Sequence, residues 1–167
     1  MRVSPDEIGN LARSCLVATG AAPELASASG WACGWLEACG YGGLAMLEEA
    51  LATQPRGDEA VKLEPDILGL DLRNVSCVFT APAIAAMARE RGRIFLRNVR
   101  HGLYLLPFSV RDRMAIGCPV DPAFALGGPR SKDPYAERLA LAEANGIEVD
   151  DARWARLAAR ANDFSRS

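Results

Sequence analysis

The chain has 167 residues, half of them apolar and about a quarter charged, with 21 acidic and 19 basic side chains. That length suits one ordinary domain with a real core. No stretch reaches the ~18 apolar residues that a membrane span needs. The start, Met1-Arg2-Val3-Ser4-Pro5-Asp6-Glu7, lacks the hydrophobic core of a signal peptide, so a soluble cytoplasmic protein is expected.

Five cysteines (Cys15, Cys33, Cys39, Cys77, Cys118) are irregularly spaced, with no Cys-x-x-Cys pair. With His101 as the single histidine, they support no zinc site, and no metal or cofactor is expected. Charge is uneven. Residues 1–75 carry eleven acidic and five basic side chains, and residues 76–167 carry ten and fourteen. The basic excess falls between Arg89 and Arg113, where it suits an anionic partner or simply a solvated face.

In chain order, Ser4-Pro5-Asp6-Glu7 predicts a capped helix start, with Ile8, Leu11, Cys15 and Leu16 at helical spacing and Gly20 as the stop. Pro23-Glu24 opens a second helix ending at Gly40, and a third runs from about Gly43 to Thr53. Gln54 to Asn74 reads as an excursion or linker. Val75 to Phe79 reads as a short strand, followed by a helix capped by Thr80, with Pro82 in its first turn and Gly92 at its end.

Arg93 to Val110 alternates like a β-hairpin, with Arg100-His101-Gly102 as its turn and Pro107 demoting the second strand to an edge or ending it early. Met114 to Cys118 adds a strand. Asp133-Pro134 starts a helix ending at Asn145-Gly146, and Asp150 caps the last one, which buries Trp154, Leu157, Ala158 and Ala161. The expected fold is α+β, with helices at both ends around a small, mostly antiparallel sheet. It is read as a single domain, 1–167, with a helical subregion over about 4–53 and an α+β remainder over about 75–164.

The second helix carries a ridge of small residues, Ala26, Gly30, Gly34 and Ala38. Each interior glycine gives up roughly 1 kcal/mol of helix preference, so another backbone is expected close by. The ridge suits packing against the first or third helix, or a homodimer seam. Glu24 and Glu37 bracket it and exclude the membrane meaning of Gly-xxx-Gly. Trp31 and Trp35 beside it wall a core or line a pocket.

Gly40-Tyr41-Gly42-Gly43 precedes a helix start and reads as an interhelical turn or an anion-receiving loop. It matches no nucleotide fingerprint, and neither does Gly127-Gly128-Pro129-Arg130-Ser131-Lys132.

The basic segment holds the candidate ligand-binding residues Arg93, Arg97, Arg100 and His101, with Arg111 and Arg113 beyond. Arg93, Phe95 and Arg97 share one strand face, and arginine beside an aromatic ring can hold a planar anion or a stacked base. An acidic protein partner is a further reading. The mildly acidic chain and the lack of an RNA-recognition signature argue against nucleic acid. A Ser–His or Cys–His pair would have to use His101, which this reading places in an exposed turn, so no catalytic residue is assigned. Asp66, Asp71, Glu48 and Glu49 could pair only in space.

Ser4, Glu7, Gly30, Trp35-Leu36, Gly40 and Gly43-Leu44, with Gly146-Ile147, Trp154 and Leu157 later, resemble an uncharacterised bacterial family of unknown function. Its members continue past a Ser-Arg pair into a glycine-rich end, where this sequence stops at Ser165-Arg166-Ser167. Residues 4 to 51 also resemble, more weakly, the opening helices of the non-Rossmann malate/L-lactate dehydrogenases. Their second helix runs into a Ser-His-Gly loop bearing a catalytic histidine, and Tyr41-Gly42-Gly43 stands there instead. That family's larger nicotinamide-binding body does not fit the remaining length.

The resulting expectation is a non-catalytic binding or accessory protein for an anionic small molecule or an acidic partner. The alternatives are a metal-independent enzyme related to those dehydrogenases but lacking their histidine, using carboxylates or Tyr41, and a structural subunit of a complex.

Overall fold

The computed structural model describes residues 1–53, 65–66, 69–118, 124–127 and 135–163. The chain divides into two compact units, Met1–Glu59 with Pro134–Ser167, and Ala60–Asp133. The last two helices therefore belong with the first three rather than with the sheet. The α+β class with helices at both ends holds. No described helix is long and apolar enough to cross a membrane.

The first unit holds β1 (Arg2–Val3), α1 (Pro5–Val17), α2 (Pro23–Ala38), α3 (Gly43–Thr53), α6 (Ala136–Asn145), β7 (Ile147–Glu148) and α7 (Asp151–Asp163). The Ser4 hydroxyl accepts the Glu7 backbone N–H at 3.2 Å and the Glu7 carboxylate accepts that of Ser4 at 2.7 Å, so α1 begins in a full capping box. β1 and β7 pair antiparallel, Val3 opposite Ile147.

Gly30 and Gly34 answer for the ridge: a methyl on Gly30 would stand 2.6 Å from the Gly9 carbonyl oxygen, and one on Gly34 would strike that of Pro5. Ala26 is buried and Ala38 half-buried. On another side of α2, a methyl on Gly43 would stand 2.6 Å from the Cys33 carbonyl oxygen, which seats α3. A second copy could meet Gly30 and Gly34 only after α1 moved away. Ile8, Cys15, Leu16, Leu36, Leu47 and Leu157 form the core between these helices.

The second unit holds β2 (Pro65–Asp66), β3 (Gly69–Asp71), α4 (Cys77–Arg91), β4 (Arg93–Arg97), a 3-10 turn (Gly102–Leu105), α5 (Leu106–Asp112), β5 (Ala115–Cys118) and β6 (Phe124–Gly127). The sheet order is β2-β3-β4-β5-β6, antiparallel at both edges and parallel in the middle, with Leu70 opposite Leu96 and Ile94 opposite Ile116. Crossovers between parallel neighbours are nearly always right-handed, so two that step in one direction place their helices on one face. Ile94 and Leu96 are buried on that face, while Arg93 and Phe95 on the other are exposed.

Three local expectations are corrected here. The run Val75 to Phe79 is not a strand: Ser76 caps α4, accepting the Val78 N–H at 3.1 Å, and Pro82 lies inside the helix rather than in its first turn. Short apolar runs do not distinguish buried strand from buried helix, and Cys77, Val78 and Phe79 are all buried. The hairpin is also absent. After β4 the chain turns at His101, forms the 3-10 turn, and enters α5 with Pro107 in its first turn. Lastly, the excursion before Asn74 supplies β2 and β3. Gln54 to Glu64, Gly128 to Lys132 and the Asp133-Pro134 helix start lie outside the described residues.

Candidate functional site

In sheets of parallel strands, ligands gather beyond the carboxyl ends, where loops leave the strands. Here β3 and β4 end in two loops, Leu72 to Ser76 and Asn98 to His101. Their backbones are zipped together: Leu72 N–H donates to Arg97 O, Asn74 N–H to Asn98 O, and Cys77 N–H to Arg100 O, each at 2.9 Å. One Asp71 carboxylate oxygen accepts from the Arg73 backbone and the Asn98 amide, both at 2.9 Å. Those bonds, the backbone one first, hold the Asp71 carboxyl below its usual range.

Arg73, Asn74, Asn98 and His101 all have φ between 48° and 61°, the left-handed region. Asparagine enters it readily, so the cost of roughly 1–2 kcal/mol falls on Arg73 and His101 rather than on Asn74 and Asn98. The only other such residue among those described is Arg113. Backbone strain held in place by its surroundings concentrates at functional sites.

His101 is half-buried, not in an exposed turn, and its Nδ1 lies 2.7 Å from the Ser76 hydroxyl. Ser76 is fully buried. The contact with Ser76 fixes the orientation of the imidazole, and which partner donates follows the ring's tautomer. The first N–H groups of α4 are already spoken for: Cys77 by Arg100 O, Val78 by the Ser76 hydroxyl and Phe79 by Ser76 O. The first turn of α4 therefore offers an anion none of these three N–H groups.

Of the four sequence candidates, the fold brings Arg97, Arg100 and His101 to this edge. Arg93 stands at the other end of β4, about 13 Å away at the usual rise of a strand. Part of the basic surplus is neutralised locally, since Asp112 pairs with Arg111 at 2.8 Å and with Arg89 at 3.4 Å. Ser76 and Asn98 escaped the sequence reading. A serine inside a run that reads as a strand carries no sign of its capping role.

Other candidates are occupied by structure. In the glycine loop, the Glu37 carboxylate accepts the Leu44 N–H at 2.7 Å, filling the place an anion would take. Tyr41 is half-buried near Tyr135, their ring centres 6.3 Å apart. Glu48 binds Arg153 and Arg156 rather than another carboxylate. Trp35 is buried, but Trp31 is 39% exposed and walls a groove of about 420 Å³ with Asp6, Asn10, Arg13 and Glu143. These rim groups are exposed and of both charge signs, so the groove favours neither. Among the described residues no three His, Cys, Asp or Glu side chains converge to hold a metal.

Compared with known proteins, the chain matches no family model, no curated protein and no solved structure.

Proposed function

We propose that this protein is a non-catalytic binding or accessory protein that holds an anionic small molecule at the carboxyl-terminal edge of β3 and β4, through Arg97, Arg100 and His101. The observation that carries the reading is the pairing of His101 with a buried serine, in loops held in left-handed conformations beside two arginines. A solvated arginine face needs no such strain. Guanidinium groups bind carboxylate and phosphate oxygens with charge-assisted hydrogen bonds, and an oriented imidazole adds a directed donor.

Binding is favoured over nucleophilic catalysis because Ser76, the one hydroxyl known to meet His101, has no exposed surface and already caps α4. A nucleophile must reach its substrate.

Titrating the protein calorimetrically with phosphate, citrate and malate, at constant ionic strength, tests this. Saturable binding that weakens at least fivefold in Arg100→Gln and His101→Gln is the expected result. Heats indistinguishable from those with chloride would sink the proposal. An acidic protein partner using the same arginines would instead bind an acidic peptide and leave the small anions inert.

A further inference from the structure

Parallel strands are normally covered on both faces, yet on the outer face of this sheet the described residues of β4 include exposed Arg93 and Phe95. Along β4, Ile94 and Leu96 are buried against the helices, Arg93 and Phe95 are exposed on the other face, and Arg97, at the same register, is half-buried. Phe95 is 52% exposed, although it sits on the central strand.

Its neighbours explain why. Gly117 of β5 pairs with Phe95, and a methyl there would stand 2.9 Å from the ring's Cδ1 and 3.0 Å from its Cε1. The ring therefore lies over a residue without a side chain. On the other side Gly69 of β3 has no room for one either, since a methyl there would strike the Phe95 carbonyl oxygen. An aromatic ring in mid-sheet is ordinarily walled by cross-strand side chains. Here the walls are missing on both sides.

Arg93 and Arg97 flank Phe95 on the same face, each two residues away and so about 7 Å along the strand. That spacing matches a planar ring and its own anionic substituent. The carboxylate on this face, Asp71, is already engaged by the Arg73 backbone and Asn98.

From the open ring, the glycine shelf and the flanking guanidinium groups we infer that this face binds a planar aromatic anion, its ring stacked on Phe95 and its charge met by Arg93 or Arg97. The inference deepens the anion-binding reading by naming a ligand class, and rests on that reading only through Arg97.

The test titrates the full chain with 2-naphthoate and with cyclohexanecarboxylate, which has the same charge but no planar ring. Stacking on one aromatic side chain is worth about tenfold or more in affinity. Naphthoate is expected to bind at least tenfold tighter, to lose that advantage in Phe95→Leu, and to weaken several-fold in Arg93→Gln. Phe95 is exposed, so Phe95→Leu keeps its fold, which a thermal melt checks. Equal affinity for the two acids overturns the inference while leaving the anion-binding reading intact. So does naphthoate binding that is lost in Arg100→Gln but unchanged in Phe95→Leu. A dimer that Phe95→Glu dissociates, with no naphthoate bound, also overturns it: the face would then belong to a second copy.

Discussion

Gly9 of α1 and Gly30 of α2 face each other across the helix crossing. A methyl on Gly30 would stand 2.6 Å from the Gly9 carbonyl oxygen, and one on Gly9 would stand 3.2 Å from that of Gly30. The contact is backbone on backbone, so neither side can yield by changing a rotamer. Gly30→Ala is expected to cost about 1–3 kcal/mol, the usual range for overpacking. Gly34→Ala, whose methyl would strike the Pro5 carbonyl, should cost more than Gly9→Ala. Urea denaturation of the three variants checks this ranking. Equal stability of Gly34→Ala and wild type would show that α1 and α2 are not seated on these glycines.

This crossing was half legible. The small-residue ridge on α2 announces a close partner, and the capping box at Ser4 and Glu7 marks where α1 begins. Gly9 was not recognisable as the opposing half, because one glycine in an otherwise ordinary helix has no pattern. The second unit was harder to read. Val75 to Phe79 is apolar and rich in strand-forming side chains, yet burial lets α4 absorb it. Pro107 lies in the first turn of α5, and a fixed φ without an N–H donor suits a strand's end and a helix's start alike. Arg97, Arg100 and His101 stand out as candidates because charge and a lone histidine show in sequence. Their neighbours Asp71 and Asn98 depend on register between distant strands, which composition does not encode.

Glu48 links α3 to α7 by accepting from Arg153 at 3.1 Å and Arg156 at 2.6 Å. The hydrogen bond from Arg156 leads the effects that hold its carboxyl below the ordinary value of 4.5. A carboxyl depressed by folding stabilises the native state above its unfolded pKa, and that contribution disappears as pH falls through the lowered native value. The pair is largely solvent-exposed, so Glu48→Gln should cost under about 1 kcal/mol at pH 7. Melting wild type and variant from pH 3 to 7 should show the gap closing below pH 4.5. A gap that persists unchanged at pH 3 would rule out the ion pair as its source.

Cys15 is buried in the core, with its thiol 3.2 Å from the Leu157 carbonyl oxygen, and burial pushes its pKa up to about 11. Cys33, Cys39 and Cys77 are also buried, and none of them forms a disulfide. Since the thiolate is the reactive form, all four should resist an aromatic disulfide reagent at pH 8 in the native Cys118→Ser variant. Unfolding in urea should release Cys15, Cys33 and Cys39 together as the first unit opens, and Cys77 as the second does. Rapid native labelling of Cys15 would contradict the packing of α1 against α7.

His101 and Arg113 share the same left-handed backbone, but not the same surroundings. Arg113 closes α5 as an exposed cap with φ 52°, a position glycine fills at no steric cost. Arg113→Gly is therefore expected to stabilise the protein by about 0.5–1 kcal/mol. His101, at φ 54°, is tied to the buried Ser76 hydroxyl. His101→Gly relieves similar strain but strips that hydroxyl of its imidazole, so its net stability change should be near zero or unfavourable. Its effect on phosphate or citrate binding should be large, at least fivefold, where Arg113→Gly has none. Thermal melts with and without anion separate the two. If both glycine variants stabilise equally and bind anions alike, the strain at His101 is only that of a turn, and the edge of β3 and β4 loses its claim to be a site.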